Sequence, residues 1–459
     1  MARHIHFLGI GGVGMAGLAY LLRKRGDDIS GCDLYSTPRT RWLEECGIPV
    51  ALGHSPSHLQ VATSATLPAA VATSAPLPEV NVDELIVTPA VPPDNPELAA
   101  ARAANLTVRS RGEVLASLVN AADGIAVCGT HGKTTTATFI TRLLQNLGAS
   151  PSWCIGGETG AMPVAGVGTG PLVVEADESD GTLALYRPRT LVLNAVDFDH
   201  LEHFNSKDDY FNCYRAAIRQ TSGTVIVCAD HPQALALAEG NAVTFGFAPE
   251  AQVNAADWPA IPVLGRHNVA NALAAIAVAL SRGFKREQIA AALPDAVAAL
   301  PDRRFELVAE SNGVRVYTDY AHHPAELKCA IDMARALHPA RLRVMFQPHR
   351  YSRTKALRDE FPPAFAAADE VVLAPVYAAF EEPIPGGDIT DLYAAFGGQS
   401  PCVILARSLD EGWQHLLRTA RPGDILMLLG AGDIINLVPR VQADLANNAF
   451  TDDCHTYLP

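Results

Sequence analysis

The sequence lacks the features typical of membrane, nucleic-acid-binding and disulfide-stabilised proteins. No stretch approaches the roughly 20 uninterrupted apolar residues of a membrane span, and five glycines break the apolar segment after Arg3, which favours a folded strand, loop and helix over a signal peptide. Lysine and arginine number 35 against 49 aspartates and glutamates, so no basic nucleic-acid surface is expected. The nine cysteines form no CxxC pair, which indicates buried thiols in a reducing, cytoplasmic compartment.

Charged and aromatic residues are also few, at 18% and 7%, whereas apolar residues make up 49% of the chain. This composition is typical of a well-packed soluble globular protein. A chain of 459 residues is too long for one compact core and suggests about three domains. We place their boundaries at residues 1–121, 122–300 and 301–459.

The stretch that organises the chain is GIAVCGTHGKTTT, residues 124–136. An apolar run predicts a buried strand, the glycine-bracketed turn 129–132 follows, and Lys133 and Thr134 open a segment with helical spacing. Such a layout binds phosphate: backbone N–H groups surround the anion, the lysine meets the outer phosphates and the hydroxyl binds Mg²⁺. The strict GxxxxGK[ST] form is not met, because its first glycine would fall at Val127. An ordinary strand-to-helix turn is the alternative.

Residues 3–33 predict a second nucleotide-binding unit. A strand, the glycines of GxGxxG at Gly9, Gly11 and Gly14, a helix, a second strand and Asp33 reproduce the first half of a doubly wound fold. The pattern does not select the nucleotide. A dehydrogenase would use the same glycines for a pyrophosphate and Asp33 for a ribose hydroxyl, and helix-on-strand packing alone would also explain the glycines.

Polar groups follow the apolar runs of the middle of the chain. The runs at 172–177, 190–196 and 224–230 end in carboxylate, amide or imidazole groups, as expected where strand ends line an α/β crevice. EADESD (175–180) and DFDH (197–200) supply oxygen ligands for Mg²⁺, although a solvated acidic turn is the alternative. A strongly apolar helix at 265–280 begins with His267, Asn268 and Asn271, which could instead be mere caps.

The last third alternates strand-like and helical segments, which predicts a second doubly wound parallel sheet. Polar residues gather after two of the predicted strands: Asp319, Tyr320, His322 and His323 after the first, and His349, Arg350 and Arg353 after the second. The fold class is therefore α/β with three domains, a Rossmann-like N-terminal domain, a central P-loop domain and a Rossmann-like C-terminal domain. The near-repeat VATSATLP and VATSAPLP (61–68 and 71–78) predicts a surface loop or edge hairpin.

Taken in order, the motifs GIGGVGM, GTHGKTTT, EADESDG, a DH near residue 200, GRHNVxNALAA, RRFE, DYAHHPAEL and FQPHRYSRT resemble the Mur ligases of bacterial cell-wall synthesis over nearly the whole chain. The resemblance implies a UDP-binding domain, a central ATPase and a C-terminal domain that brings the amino acid. It further implies that ATP activates the lactyl carboxylate of UDP-N-acetylmuramate as an acyl phosphate. DYAHHP with FQPHRYSRT favours L-alanine as the second substrate; attachment of a preformed tripeptide in cell-wall recycling is the alternative.

The resemblance also implies residue roles. Lys133, His200 and Arg350 would be catalytic, and Thr134, Glu175 and His200 would hold Mg²⁺. ATP would contact Gly129, Thr130, His131, Gly132, Lys133, Thr134, Thr135, His267, Asn268, Asn271, Arg304 and Asp319. The UDP-sugar would contact Gly11, Gly12, Val13, Gly14 and Asp33. Tyr320, His322, Arg350 and Arg353 would form the amino-acid pocket, and a histidine of the 322/323 pair would accept the proton of the attacking amine.

These motifs predict ATP, Mg²⁺, UDP-N-acetylmuramate and L-alanine as ligands of a cytoplasmic monomer or weak homodimer, without nucleic-acid or membrane partners. Two other classes stay open at this point. A nicotinamide-dependent dehydrogenase would leave GTHGKTTT unexplained, and a non-catalytic nucleotide-binding scaffold would bind ATP without releasing phosphate.

Overall fold

The computed structural model describes residues 3–59, 82–88, 90–157, 162–197, 204, 206–238, 242–298, 300–379, 381–398 and 401–447. The repeat at 61–78 and His200 lie outside these ranges. The chain divides into two compact units, residues 1–301 and 302–459. The boundaries predicted from the sequence at 121/122 and 300/301 stay predictions.

The first unit begins with a five-stranded parallel sheet in the order β3-β2-β1-β4-β5. Its strands are β1 (His4–Leu8), β2 (Asp28–Asp33), β3 (Val50–Leu52), β4 (Glu84–Val87) and β5 (Thr107–Ser110); its helices are α1 (Val13–Lys24), α2 (Pro38–Glu45), α3 (Pro96–Ala103) and α4 (Arg111–Asn120). The chain moves outward from β1 in one direction and then from β4 in the other. This reversal leaves a crevice beyond the carboxyl end of β1, the usual place for a nucleotide.

An eight-stranded sheet follows, in the order β13-β12-β11-β10-β6-β9-β7-β8, parallel except for the β7–β8 pair. Its strands are β6 (Gly124–Cys128), β7 (Ser152–Cys154), β8 (Ala165–Gly166), β9 (Leu172–Glu175), β10 (Thr190–Leu193), β11 (Thr224–Cys228), β12 (Val243–Gly246) and β13 (Val253–Asn254). Its helices are α5 (Lys133–Asn146), α6 (Lys207–Gln220), α7 (Pro232–Leu237), α8 (Arg266–Ser281) and α9 (Arg286–Val297).

The central position of β6 explains why its sequence is apolar throughout. All five of its residues are buried between β10 and β9, as expected for a parallel strand covered on both faces. Helix α8 packs beside α5 and contributes a run of buried alanines, among them Ala272, Ala275 and Ala279. Small side chains allow the two helix backbones to approach closely, so the start of α8 lies next to the glycine loop.

The second unit contains a six-stranded sheet in the order β14-β15-β19-β16-β17-β18. Its strands are β14 (Glu306–Ser311), β15 (Val314–Asp319), β16 (Leu342–Phe346), β17 (Glu370–Leu373), β18 (Cys402–Leu405) and β19 (Ile425–Leu429). Its helices are α10 (Pro324–Arg335), α11 (Tyr351–Ala356), α12 (Phe361–Ala364), α13 (Ile389–Ala395), α14 (Leu409–Thr419) and α15 (Val438–Ala446). Strands β15 and β16 both pair with β19, so the polar clusters that follow them lie at the same edge.

The structure confirms the α/β class and corrects one detail of the last sheet, which was predicted to be parallel. Strand β14 is antiparallel to β15, and Ser311 faces Val314 across a two-residue turn. The turn residues Asn312 and Gly313 have φ values of 49° and 74°, the positive values that a tight hairpin requires and that Asn-Gly favours. This signal was present in the sequence and was not used.

The described part of the chain contains no helix that is long and apolar enough to cross a membrane. Eight cysteines lie in the described ranges, and each is a free thiol.

A buried ion pair in the last sheet yields a stability prediction. Arg343 donates from Nε to Asp424 Oδ2 at 3.0 Å and from Nη1 to Glu370 Oε2 at 3.1 Å, and the Arg343 and Asp424 side chains are only 4% and 1% exposed. Asp424→Asn should lower the free energy of unfolding by about 3 kcal/mol, because loss of one partner leaves a buried charge poorly compensated. Urea denaturation of the full chain measures this.

The matched control is Asp410→Asn, which breaks an exposed pair with Arg440 in the same unit. A surface pair contributes about 1 kcal/mol or less. Equal destabilisation by the two substitutions would contradict a structural role for the buried pair.

Candidate active site

The glycine loop between β6 and α5 has the backbone that a phosphate-binding turn requires. Gly129 and Gly132 have φ values of 123° and 80°, which side-chain-bearing residues rarely adopt. A Cβ on Gly129 would lie 2.8 Å from Ala195 O, and one on Gly132 would lie 2.8 Å from Asn271 Oδ1. Glycine is therefore needed at both positions for the loop to fit against β10 and α8.

Lys133 is held at the mouth of this loop by a buried carboxylate. Its Nζ donates to Gly129 O at 2.7 Å and to the two oxygens of Glu178 at 2.9 and 3.1 Å. The Glu178 side chain is fully buried. Burial alone would lower the pKa of Lys133, but Glu178 and Asp177 outweigh it and raise the pKa above its ordinary value. Lys133 therefore carries its positive charge at the loop at neutral pH.

Thr134 and Glu175 bring two oxygen ligands together beside the lysine. Thr134 Oγ1 donates to Glu175 Oε2 at 3.0 Å, and the N–H of Gly156 donates to Oε1 of the same carboxylate. Burial raises the pKa of Glu175, although these hydrogen bonds and Lys133 oppose the shift. A half-buried carboxylate next to a hydroxyl is a donor set that suits Mg²⁺, which prefers hard oxygen ligands. The residues present thus fit the predicted magnesium site.

A carboxylate between two imidazoles lies on the other side of the loop. Asp197 Oδ2 is 3.0 Å from His131 Nε2, and Oδ1 is 3.4 Å from His231 Nε2. Hydrogen bonds from His131 first and His231 second hold the pKa of Asp197 far below its usual range. Thr130 Oγ1 donates to the backbone oxygen of Asp197 at 2.8 Å and also contacts the hydroxyl of Tyr210 at 3.0 Å. These contacts fix the side chains of the loop.

The predicted ATP residues at the start of α8 meet the first turn of α5. Thr136 Oγ1 donates to Asn271 Oδ1 at 3.0 Å, and Asn271 Nδ2 donates to Asn268 Oδ1 at 3.3 Å. Asn194 completes the network through a 2.9 Å hydrogen bond to Thr136. His267 lies in the first turn of the same helix. The structure places this turn beside the phosphate loop, whereas contact of its residues with adenine stays a prediction.

His200, predicted as a magnesium ligand and catalytic residue, lies outside the described residues, and its role also stays a prediction.

The predicted UDP-sugar residues come together at the carboxyl ends of β1 and β2. The N–H of Gly11 donates to Asp33 Oδ2 at 2.8 Å, Gly12 precedes α1, and Val13 and Gly14 form its first turn. Asp33 therefore shapes the glycine loop. Whether it also meets a ribose stays a prediction.

Arg111 connects this glycine loop with the acidic run of the central sheet. A Cβ on Gly14 would lie 2.9 Å from the Arg111 side chain, and Arg111 Nη2 is 3.6 Å from Asp177 Oδ2. Sequence reasoning missed this cation. It places a largely buried positive charge between the two predicted anion-binding loops.

In the second unit, Asp319 shapes the loop that carries Arg304. Its Oδ2 accepts from the N–H of Phe305 at 2.7 Å, and its Oδ1 accepts from the N–H of Ala321 at 2.8 Å. Burial raises the pKa of Asp319, while Arg304 and the two backbone hydrogen bonds oppose the rise. The guanidinium of Arg304 lies 5.2 Å from the centre of the Tyr320 ring. Asp319 thus positions the arginine predicted to reach ATP.

The residues predicted for the amino-acid pocket form a cationic cluster after β16. Arg350 has a φ of 71° and its N–H donates to Tyr377 O at 2.8 Å. Arg353 Nη1 donates to His349 Nδ1 at 3.3 Å, and the His349 ring stacks on Tyr377 at 5.5 Å. Left-handed backbone at a residue other than glycine is strained, and the surrounding contacts hold it in place.

His349 does not add to the charge of this cluster. Burial first, and then His322, Arg353 and Arg350, lower the pKa of His349 to about 3. It is therefore neutral at physiological pH and accepts the hydrogen bond from Arg353. The positive charge available for a carboxylate comes from the two guanidinium groups.

The two histidines of the 322/323 pair have different surroundings. His323 is the N-cap of α10, where its Nδ1 accepts from the N–H of Ala325 at 3.4 Å. His322 is less buried, and its ring lies 5.7 Å from that of His349. His322 Nδ1 is 3.1 Å from Tyr320 O and 3.4 Å from Glu326 Oε2. Of the pair, His322 is the residue that joins the arginine cluster.

Besides Arg111, sequence reasoning did not assign roles to Glu178, Asp197 and Tyr377, which support the predicted site residues. Glu178 and Asp197 belong to the acidic motifs EADESD and DFDH, which were predicted to supply Mg²⁺ ligands. The sequence did not indicate that they pair with Lys133 and His131. Tyr377 lies after β17, far along the chain from Arg350. Only the pairing of β16 with β17 brings the two together.

Three family descriptions match the chain in order: "Mur ligase family, catalytic domain" at residues 4–123, "Mur ligase middle domain" at 127–279 and "Mur ligase, glutamate ligase domain" at 303–432. Among curated relatives, the UDP-N-acetylmuramate–L-alanine ligase of Thermobifida fusca (strain YX) is 37% identical over 475 residues and covers 95% of each chain. The ligase of the same name from Kineococcus radiotolerans is 38% identical over 470 residues, again covering 95% of each chain.

Solved structures agree with this grouping. The crystal structure of the UDP-N-acetylmuramate–alanine ligase of Thermotoga maritima matches with a TM-score of 0.76 at 27% identity, covering 95% of this chain and 97% of that one. A murein peptide ligase of Psychrobacter arcticus shares the fold with a TM-score of 0.68 at 24% identity over the full length of both chains. Because the ordered motifs, the phosphate loop and these likenesses all agree, the chain belongs to the Mur ligase family.

Proposed function

We propose that the protein is an ATP-dependent ligase that joins L-alanine to the lactyl carboxylate of UDP-N-acetylmuramate, forming an amide, ADP and phosphate in peptidoglycan precursor synthesis. The observation that carries the proposal is the grouping at the ends of β6 and β9, where Lys133 meets the buried carboxylate of Glu178 and Thr134 meets the half-buried carboxylate of Glu175, both within EADESD. The identity of 37% to relatives named for this reaction supports the substrate assignment.

The chemistry explains why such a loop is needed. A carboxylate does not react with an amine directly, because its oxide is too poor a leaving group, so it is first phosphorylated by ATP. Phosphoryl transfer between two anions depends on positioning and charge neutralisation more than on covalent help from the protein. Lys133, which stays protonated beside Glu178, would neutralise the outer phosphates.

Thr134 and Glu175 would hold one Mg²⁺ in this site, and His200, by motif position, would belong to a second Mg²⁺ site. When bound, the ion would neutralise charge on the phosphate oxygens. Gly129 to Thr135 would contribute backbone N–H groups to the phosphates. The first turn of α8 would meet the adenine end of ATP.

The sugar nucleotide would bind at the glycine loop of β1. Gly11 to Gly14 open α1, whose N-terminal N–H groups suit a diphosphate. Arg111 lies next to Gly14 and Asp177, so it would orient the substrate anion toward the central domain.

L-alanine would bind through its carboxylate at Arg350 and Arg353. A guanidinium fork can pair with a carboxylate through two parallel hydrogen bonds. His322, next to His349, would accept the proton of the attacking amine. Because one methyl group contributes only about 1 kcal/mol to discrimination, slower reaction with glycine or serine is expected.

We further assign residues 1–121 to the UDP-sugar, 122–300 to ATP and 301–459 to the amino acid, in a cytoplasmic protein that is a monomer or weak homodimer. The family matches at 4–123, 127–279 and 303–432 support the division into three domains.

Phosphate release tests the proposal directly. The purified chain is incubated with ATP, Mg²⁺ and UDP-N-acetylmuramate, and then with L-alanine, glycine, L-serine or the preformed tripeptide. Release that depends on L-alanine is expected. Release with the tripeptide alone would identify the recycling reaction instead, and ATP binding without release under any condition would favour a non-catalytic scaffold.

Lys133→Ala should abolish phosphate release, since the outer phosphates would lose their cation, while UDP-N-acetylmuramate binding should stay within about twofold of wild type because that site uses other residues. The control Lys328→Ala removes an exposed lysine paired with Asp332 on α10. It should leave turnover unchanged. Turnover of Lys133→Ala within about tenfold of wild type would refute the loop assignment.

Arg350→Ala should raise the KM for L-alanine by roughly 10- to 160-fold, because a hydrogen bond to a charged group contributes roughly 1.5–3 kcal/mol, and should leave the KM for ATP near wild type. Arg358→Ala serves as control, since Arg358 is an exposed arginine of the same unit that pairs with Asp359. Equal effects of Arg350→Ala on both KM values would remove Arg350 from the amino-acid pocket.

A further inference from the structure

A cluster of metal-binding side chains lies in the first sheet, away from the residues assigned to catalysis. His6 of β1, Cys32 of β2, His58 of the 3-10 turn Pro56–Leu59 and Glu97 of α3 each present one ligand atom, and these atoms all lie within 4.8 Å of one another. His6, Cys32 and Glu97 are completely buried. The proposed function uses none of these side chains.

The distances centre on the Glu97 carboxylate. Its Oε1 is 2.9 Å from His6 Nε2, while its Oε2 is 3.2 Å from both His58 Nδ1 and Cys32 Sγ. Zinc bonds of about 2.0–2.3 Å in a tetrahedron place neighbouring ligand atoms roughly 3.3–3.7 Å apart. The three distances to Glu97 are within a few tenths of an ångström of this spacing, and the remaining pairs of ligand atoms lie within 4.8 Å, so a bound metal would draw those pairs closer together.

The outer contacts of His6 are those of a metal ligand. Ser30 Oγ lies 2.8 Å from His6 Nδ1, which leaves Nε2 to face the cluster. A hydrogen bond to the second ring nitrogen fixes the orientation and tautomer of a metal-bound histidine. His6 Nε2 and Glu97 Oε1 are both buried and lie 2.9 Å apart, yet they form no well-aligned hydrogen bond. A cation bound to both would give each of these buried atoms a partner.

The charge balance also suits a divalent ion. The cluster offers two acidic groups, the Cys32 thiol and the Glu97 carboxylate. With metal bound, the negative charges of one thiolate and one carboxylate would balance the two positive charges of a divalent cation. The two imidazoles would bind as neutral ligands. A site without net charge is the arrangement least penalised by burial.

We propose that His6, Cys32, His58 and Glu97 bind Zn²⁺ as a structural site of the N-terminal domain. On binding, the Cys32 S–H bond breaks, its proton passes to solvent and a zinc–sulfur bond forms, with no change of oxidation state. Sulfur, nitrogen and oxygen donors in a closed tetrahedral set favour zinc over Mg²⁺. His54, whose Nδ1 is 3.3 Å from Cys32 Sγ, supports the sulfur from outside the set.

The position of Cys32 gives the site a structural consequence. Its backbone oxygen accepts hydrogen bonds from the N–H groups of Gly9 and Ile10 at 2.9 and 3.0 Å. Metal bound to the side chain would therefore fix the strand end against which the glycine loop is built. The inference does not depend on the reaction that the protein catalyses.

Cobalt substitution of the full-length chain tests the proposal, because a cobalt–thiolate bond produces a charge-transfer band that Asp, Glu and His ligands do not give. The metal-free protein is titrated with Co²⁺ in excess Mg²⁺, which occupies the oxygen ligands of the nucleotide site. Saturation of this band at a single equivalent is expected, followed by its loss when Zn²⁺ displaces Co²⁺.

Cys32→Ser should abolish the band and weaken Zn²⁺ binding by about 100-fold or more, whereas Cys46→Ser, which changes a half-buried thiol outside the cluster, should match wild type. His58→Gln, at the less buried edge of the cluster, should weaken binding while leaving circular dichroism unchanged. Absence of the band in wild type, or its persistence in Cys32→Ser, would overturn the proposal. A chelator should lower the melting temperature of wild type but not of Cys32→Ser.

Discussion

Buried negative charge facing a glycine loop is the constraint on which the central domain depends. Glu178 is fully enclosed, and Lys133 lies against it and compensates its charge. The half-buried Glu175 accepts a hydrogen bond from the hydroxyl of Thr134. Lys133 and Thr134, which would meet the phosphates and Mg²⁺, thus each have a carboxylate partner within the protein. The loop is held in one conformation by these pairs as well as by its glycines.

The same principle of local support recurs in the second unit. Asp319 accepts two backbone hydrogen bonds and shapes the loop that carries Arg304, and the backbone oxygen of Tyr377 accepts the N–H of Arg350. In both places an arginine that would contact substrate is oriented by residues that need not contact it. Such support matters because positioning an anion depends on the direction of a guanidinium fork as much as on its charge.

Much of this organisation was predictable from the sequence because parallel strands buried on both faces are apolar runs. The strand predicted at the start of GIAVCGTHGKTTT and the runs at 172–177 and 190–196 correspond to β6, β9 and β10. The order of strands within a sheet was not predictable, since it depends on contacts far apart along the chain. Strand β14 was missed because its pattern is weak, with exposed and half-buried residues alternating irregularly.

The site residues show the same contrast between what neighbours along the chain determine and what only the fold determines. Lys133 and Thr134 could be assigned locally, since their roles follow from neighbours in the chain. The partnership of Lys133 with Glu178 could not, because EADESD offers four carboxylates and only the fold decides which one is enclosed. Likewise, no local pattern joins His6 with Glu97, which are brought together by the pairing of β1 with β4 and the return of α3.

The alanine-lined face of α8 limits how the central domain can vary. Because a Cβ on Gly132 would lie only 2.8 Å from Asn271 Oδ1, a larger side chain between α8 and α5 would shift the helix, and this amide with it, relative to the turn. Residues several turns away from the loop, such as Ala275 and Ala279, are thereby tied to its shape. A mutation that improves packing there would come at the expense of the loop, so the helix interface and the turn have to evolve together.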